Sequence, residues 1–360
     1  MDMILNQIFK GAWDMKKLLV YPLNQESISL VRYKDLLIDY DEVIPIASKS
    51  MKAIEGKDIS IIDGGSLCGI GIDTDFETAL SFADSALFVY DEGNKDNINT
   101  FLETSKNLGK RVYVCNGEAE NNLPNCRTVT CNDFDCNVES TERLKKITVP
   151  VVMVFGQGQF CNKFDIQVGL NRKFKEHGYD VSQVATKAYS TLFGFHALPK
   201  FESEPLWKRV MLYNHYFADI VDKENPDVLV VGVPGGIMEI DDWHNELFGE
   251  TAIALAKSLR PDISLLSIYN MTFESDYIKE IDKYSKYALG VSYAHVQISN
   301  TKLVFEPDLK TINYLFTDST KVNVQDSTTR YSLFNVFDNV SSDKVYENVV
   351  QQLQKNIDAL

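Results

Sequence analysis

The stretch Val149–Phe174, VPVVMVFGQGQFCNKFDIQVGLNRKF, determines the fold class of the second half of the chain. Its run of apolar residues predicts a buried strand, and Gly156 and Gly158 predict a turn directly after that strand. The segment from Lys163 onward predicts a helix. A phosphate-binding loop has the same order of a buried strand, a glycine-containing turn, a lysine and a helix.

Apolar, strand-like segments alternate with helix-like segments on both sides of this stretch. Examples are KKLLVYPL, SALFVYD and KRVYVCN before it, and PDVLVVGV and DISLLSIYN after it. Strands of continuous valine, isoleucine and leucine, separated by helices, indicate a parallel sheet that is covered on both faces. We therefore predict an α/β fold with two open, mostly parallel-sheet domains, the second resembling a degenerate phosphate-loop NTPase.

The length of 360 residues is about twice that of a typical domain, which also predicts two domains. The polar segment CNGEAENNLPNCRTVTCNDFDCNVESTERLKK, interrupted by Pro124, is the best candidate for a linker. We predict a Rossmann-like α/β domain over residues 16–145 and a phosphate-loop-like α/β domain over residues 146–360.

The loop departs from the full phosphate-loop pattern G-x-x-x-x-G-K-[ST] at three positions. With Lys163 as the pattern's lysine, Gln157 and Asn162 take the two glycine positions and Phe164 takes the hydroxyl position. Asparagine tolerates the left-handed conformation that glycine often supplies, but phenylalanine cannot bind a metal ion. Asp165 could take over that role. The alternative is a tight strand-to-helix turn that leaves Lys163 on the surface.

A second glycine-rich strand end, in PDVLVVGVPGGIMEIDD, supports a nucleotide site. It resembles the second nucleotide-sensing strand of the deviant phosphate-loop class that includes dethiobiotin synthetase and the MinD-like ATPases. Gly235 and Gly236 match the glycines of that class, whereas Gly232 stands where several members carry a magnesium-binding acid. Glu239, just downstream, could replace that acid, or it belongs to a solvated acidic turn.

These patterns predict a ligand-binding set and a metal-binding pair, and they leave the catalytic residues unknown. The expected ligand is ATP or another nucleotide, or a similar phosphate compound, accompanied by Mg²⁺. The predicted ligand-binding residues are Gly156, Gly158, Asn162, Lys163, Gly235 and Gly236, and the predicted metal ligands are Asp165 and Glu239. Between the two loops, His196 is either a packed histidine or a catalytic group.

The net charge of −15, from 51 acidic and 36 basic residues, disfavours binding to nucleic acid or to an anionic membrane. The apolar runs are shorter than the roughly 20 residues that cross a bilayer, so we expect a cytoplasmic protein. Cys126, Cys131 and Cys136 are spaced by five residues, unlike the paired ligands of most zinc sites. They are either free thiols of a loop or edge strand, or ligands of a metal or iron–sulfur site.

Three segments together resemble one family, the bacterial peptide maturation system proteins that occur beside radical SAM enzymes. They are KKLLVYPLNQESISLVRYKDLLIDY, VFGQGQFCNKFDIQVGLNRKFKEHGYDVSQVATKAYSTLFGFHALPKF and PDVLVVGVPGGIMEI. The resemblance implies a role in making a ribosomally produced, modified peptide. It implies as partners the precursor peptide, which is bacteriocin-like, and a radical SAM enzyme or an acyl-carrier-related protein. The alternative is a non-catalytic scaffold that binds the peptide or a modifying enzyme.

Overall fold

A computed structural model describes residues 15–90, 95–115, 126–129, 134, 136–272, 276–322, 324 and 330–358. Its strands are β1 Lys17–Tyr21, β2 Glu42–Pro45, β3 Ser85–Val89, β4 Arg111–Cys115, β5 Cys126–Val129, β6 Val151–Gly156, β7 Val181–Ala185, β8 His196–Ala197, β9 Val228–Gly232, β10 Ile263–Ile268, β11 His295–Ile298, β12 Thr301–Glu306, β13 Thr311–Phe316 and β14 Ser332–Phe334. The α-helices are α1 Ile28–Arg32, α2 Ser60–Asp63, α3 Phe76–Phe82, α4 Lys95–Asn107, α5 Lys163–Glu176, α6 Leu206–Glu224, α7 Glu250–Leu259, α8 Tyr277–Ala288 and α9 Asn339–Asp358.

The chain divides into two units. The first contains the described residues within 1–62, 67–130 and 188–194, and the second contains those within 63–66, 131–187 and 195–360. The first unit has a parallel five-stranded sheet of order β2-β1-β3-β4-β5. Its core includes Tyr21, Phe76 and Phe101, and the rings of Phe76 and Phe101 stack with centroids 3.9 Å apart.

The second unit has a parallel seven-stranded sheet of order β14-β11-β10-β6-β9-β7-β8, with β6 between β10 and β9. Val152 of β6 pairs with Ile263 on one side and with Val230 on the other. The strands β12 and β13 form a separate antiparallel hairpin. Because β6, β9 and β10 are parallel neighbours, the segments that follow them emerge at the same edge of the sheet.

Both faces of this sheet are buried, as its strand sequences predict. On β6, Val151, Met153 and Phe155 contribute to one apolar cluster, which also includes residues of α6 and α7. Val152 and Val154 contribute to another cluster, which includes residues of α5 and α9. Alternation with a period of two sends successive side chains to opposite faces, so each cluster receives every second residue.

The predicted fold class, α/β with open and mostly parallel sheets, is confirmed. The helix α1 is short, because it ends at Arg32 and only the 3₁₀ turn Lys34–Leu36 follows it. Within the predicted linker, Cys126–Val129 form β5 at the edge of the first sheet, which was one of the two alternatives for this segment. In the part of the chain that the structure describes, no helix combines the length and apolarity that a bilayer crossing requires.

Candidate functional site

The segment between β6 and α5, residues 156–163, forms a tight loop at the carboxyl edge of the sheet. Helix α5 begins at Lys163, and its N-cap residue Asn162 is left-handed, with φ 59° and ψ 25°. Phe160 is also left-handed, with φ 55°. Asparagine adopts this conformation more readily than most residues do, which explains why Asn162 can replace the glycine of the phosphate-loop pattern.

Lys163 connects this loop to the one that follows β9. Its Nζ donates to Gly158 O at 2.8 Å and to Gly235 O at 2.5 Å. Burial lowers the pKa of Lys163, and the nearby ionisable side chains of Cys161 and Glu246 oppose that shift. An ammonium group has three protons to donate, so the two carbonyl groups leave one for a ligand.

The glycines allow the two loops to approach closely. Gly235 is left-handed, with φ 63°, and Ile237 N donates to Gly156 O at 3.1 Å. A Cβ atom added to Gly236 would lie 2.5 Å from Gln157 O, and one added to Gly158 would lie 2.4 Å from the hydroxyl of Tyr269. No side chain fits at Gly158 or Gly236 without displacement of a neighbour.

The strand β10 and the segment after it hold the loop from the other side. The backbone N–H of Tyr269 donates to Gln157 Oε1 at 2.8 Å, and its hydroxyl donates to Gln159 O at 2.8 Å. The hydroxyl of Ser267 donates to Cys161 O. These contacts join residues more than 100 positions apart in sequence and fix the backbone between Gln157 and Cys161.

Glu246, an acid outside the predicted set, contacts the second loop. Its Oε2 accepts a hydrogen bond from Gly236 N at 2.8 Å. A Cβ atom built on Gly235 would lie 3.3 Å from Oε2, and one built on Gly158 would lie 3.4 Å from Oε1. The carboxylate of Glu246 therefore lies beside both glycine loops. No pattern identifies it in the sequence, because ten positions separate it from Gly236.

The two acids predicted as metal ligands lie in different surroundings. Asp165 is buried in the first turn of α5 and accepts from Asn162 Nδ2 at 3.0 Å. Glu239 is exposed, and its charge adds to the effect of burial in raising the pKa of Tyr284. Among the described residues, no group of three or more histidine, cysteine, aspartate or glutamate side chains is arranged to hold a metal ion. Their assignment as metal ligands stays a prediction.

Two positions that bind magnesium in phosphate-loop proteins, one in the loop and one at the end of β9, carry no metal-binding side chain here. Phe164, at the hydroxyl position, is buried and its ring centroid lies 6.0 Å from that of Phe195. A Cβ atom at Gly232, the position of the acid, would lie 2.2 Å from Gln167 Oε1. Both positions therefore lack a ligand, and a side chain at the second would have to displace the amide group of Gln167.

The remaining candidates lie in other contacts. His196 Nε2 lies 2.7 Å from Glu224 Oε1, so the two side chains are in hydrogen-bond contact. Among the described residues, Cys136 and Cys161 have free thiols. Cys131 lies outside the described residues.

The arrangement defines a class of protein: an α/β protein with a strand, a lysine-bearing loop and a helix of phosphate-loop type. No family model matches the sequence, and no curated protein matches it. The fold is similar to that of a DUF1611 family protein from Anabaena variabilis, with a TM-score of 0.57 and 14% identity over 79% of this chain and 88% of that chain. This likeness shows the fold alone.

Weaker similarities extend to proteins that match only part of this chain. Chloroplast FtsY from Physcomitrella patens has a TM-score of 0.28 and 17% identity, over 45% of this chain and 53% of that chain. A nucleotide-binding protein in complex with ADP from Archaeoglobus fulgidus has a TM-score of 0.26 and 9% identity, over 47% of this chain and 74% of that chain. At such TM-scores the similarity carries no argument about function.

Proposed function

We propose that this protein binds a nucleotide or another organic phosphate through the loop of residues 156–163. The observation that carries the proposal is the position of Lys163, a partly buried ammonium group held between Gly158 O and Gly235 O. Burying a cation is unfavourable unless it is compensated, and two carbonyl groups compensate it only in part. A phosphate oxygen at the third proton would complete its coordination.

The surroundings of Lys163 suit a phosphate group. The loop lies at the carboxyl edge of a parallel sheet and leads into α5, where backbone N–H groups and the helix dipole favour an anion. Gly158, Gly235 and Gly236 have no side chains, so the main chain of the two loops is left to face a ligand. A Cβ atom at these positions would come within 3.3 Å of Tyr269, Glu246 or Gln157. A phosphate held there needs no metal ion for its first contacts.

We propose a cytosolic role in the maturation of a ribosomally produced peptide, on the basis of the family resemblance of the sequence. The partners would be the precursor peptide and a radical SAM enzyme or an acyl-carrier-related protein. In that setting the phosphate ligand could be a substrate, or a ligand that controls binding of the peptide. The test is isothermal titration of the precursor peptide into the protein with and without ATP. No heat of binding in either condition would contradict the peptide role.

The second candidate function is a binding protein without hydrolytic activity. Its specific support is the loss of both magnesium positions, because Phe164 is apolar and Gln167 fills the space beside Gly232. Under this alternative, ATP or GTP binds but no phosphate is released. A phosphate-release assay over several hours, at saturating nucleotide, tests this alternative, and steady release of phosphate would contradict it.

Thermal unfolding with and without ATP or GTP tests the phosphate site, in the presence of Mg²⁺ and again in EDTA. A ligand at about 100 times its Kd stabilises the folded protein by about 2.7 kcal/mol, which raises the Tm by several degrees. The shift should disappear in Lys163→Ala and persist in Lys283→Ala, a control on an exposed side chain of α8. The absence of a shift with both ATP and GTP would contradict binding of these nucleotides at the loop.

A further inference from the structure

The turn that carries Glu246 has an unfavourable backbone. Glu246, Leu247 and Phe248 all have positive φ angles, of 44°, 51° and 51°, and Gly249 follows with φ 70°. A left-handed conformation is unfavourable for residues with a Cβ atom, and consecutive examples are rare. Leu247 and Phe248 are also exposed, so apolar burial of their side chains does not compensate for the strain.

The contacts of the Glu246 side chain are those expected of a bound anion. Its carboxylate accepts the backbone N–H of Gly236 at 2.8 Å and lies beside Gly158 and Gly235, whose carbonyl oxygens hold the ammonium group of Lys163. A negatively charged acceptor on a backbone N–H, next to a lysine, is the arrangement by which such loops hold phosphate.

We infer that the carboxylate of Glu246 occupies the position of the ligand's terminal anionic group, and that the ligand displaces it on binding. The inference rests on the proposed phosphate site and deepens it, because it places one end of the ligand at Gly236 N. Release of the carboxylate would let the strained turn Glu246–Gly249 relax. Relief of this backbone strain would offset some of the free energy that is lost when the hydrogen bond from Gly236 N to Glu246 breaks.

The alternative role of Glu246 is that of the magnesium-binding acid missing at Gly232. The two roles predict opposite effects of removing its charge. A carboxylate that competes with the ligand weakens binding whether or not Mg²⁺ is present, whereas a metal ligand strengthens binding of the magnesium complex. The direct bond to Gly236 N and the strain of the turn favour competition.

The test is isothermal titration of inorganic pyrophosphate and of ATP, each in EDTA and with Mg²⁺, into the wild type, Glu246→Gln and Glu280→Gln. Glutamine keeps the shape of the side chain and removes its charge, and Glu280→Gln removes an exposed charge of α8 as a matched control. We expect Glu246→Gln to bind both probes at least about tenfold more tightly in EDTA, and Glu280→Gln to match the wild type. Circular dichroism and the Tm establish that each variant is folded.

Hydrogen exchange gives a second measurement on the wild type. Saturating pyrophosphate should accelerate exchange at residues 246–249 while protecting residues 156–163. Equal or weaker binding by Glu246→Gln, or a loss of affinity confined to Mg²⁺, would overturn the inference and leave the phosphate site standing. Failure of all three proteins to bind either probe would overturn the phosphate site and the inference together.

Discussion

Replacement of Lys163 by methionine tests whether this lysine contributes mainly to ligand affinity or to the stability of the folded protein. Lys163→Met retains much of the side-chain volume and removes the charge. It eliminates two hydrogen bonds from a charged donor, each worth about 1.5–3 kcal/mol, so the loss is about 3–6 kcal/mol. Removing a partly buried ammonium group also recovers a desolvation cost of several kcal/mol. The two effects nearly cancel.

We therefore expect the free energy of unfolding of Lys163→Met to lie within about 2 kcal/mol of the wild-type value. Its affinity for a phosphate ligand should fall about 10- to 150-fold, because one charge-assisted hydrogen bond of about 1.5–3 kcal/mol is lost. Urea unfolding measures the first quantity and titration of ATP measures the second. Loss of more than about 4 kcal/mol of stability with unchanged affinity would refute this reasoning.

The pH dependence of stability provides an independent check on the same variant. Burial lowers the pKa of Lys163 below 10.5, so the unfolded chain binds more protons than the folded protein between that lowered pKa and pH 10.5. The contribution of Lys163 to stability therefore rises with pH through this window. The difference in unfolding free energy between wild type and Lys163→Met should shift in favour of the wild type as the pH approaches 10.5. Parallel curves would contradict the burial of the charge.

Three further predictions concern other parts of the chain. Gly232→Asp should lower the free energy of unfolding, measured in urea, by about 1–3 kcal/mol, because its Cβ would collide with Gln167. We expect no gain of Mg²⁺-dependent binding. Unchanged stability would contradict the close contact. Burial lowers the pKa of His295, so the free energy of unfolding should fall as the pH drops below 6.5. His295→Asn should reduce this dependence by up to about 1.4 kcal/mol per pH unit. Equal dependence on pH in the variant and the wild type would refute this. Phe76→Ala should destabilise the first unit by about 3–5 kcal/mol, because Phe76 is fully buried against Phe101. Faster hydrogen exchange in β1 and β3 would report the loss, and unchanged exchange would contradict the prediction.

The fold class could be predicted from the sequence because its determinants are local. The apolar run that forms β6 is followed within eight residues by the start of α5, and both were recognisable from residue type alone. Glycine is also a local signal of a helix end, and Gly109 and Gly178 adopt left-handed conformations just after α4 and α5. The hairpin partner β13 was missed, because its alternating pattern lies in a polar, threonine-rich region.

The site was predictable only for the residues within the two loops. The structure brings Gly156, Gly158, Lys163 and Gly235 together, because parallel neighbouring strands end at the same edge of a sheet. Glu246 could not be found, because its approach to Gly236 depends on a left-handed turn of three residues that have no intrinsic preference for it.

The shape of the loop depends on residues far along the chain. The carbonyl oxygen of Phe160 accepts from the hydroxyl of Thr301 at 2.6 Å, and the ring of Phe160 packs edge-on against Tyr314 and Phe316 of the β12–β13 hairpin. Residues 149–176, excised as a peptide or grafted into another parallel sheet, would keep the order of strand and helix but lose these contacts of Phe160. The conformation of the loop therefore depends on the hairpin as well as on the loop sequence. We expect mutations in the hairpin to alter ligand affinity although they lie outside the loop.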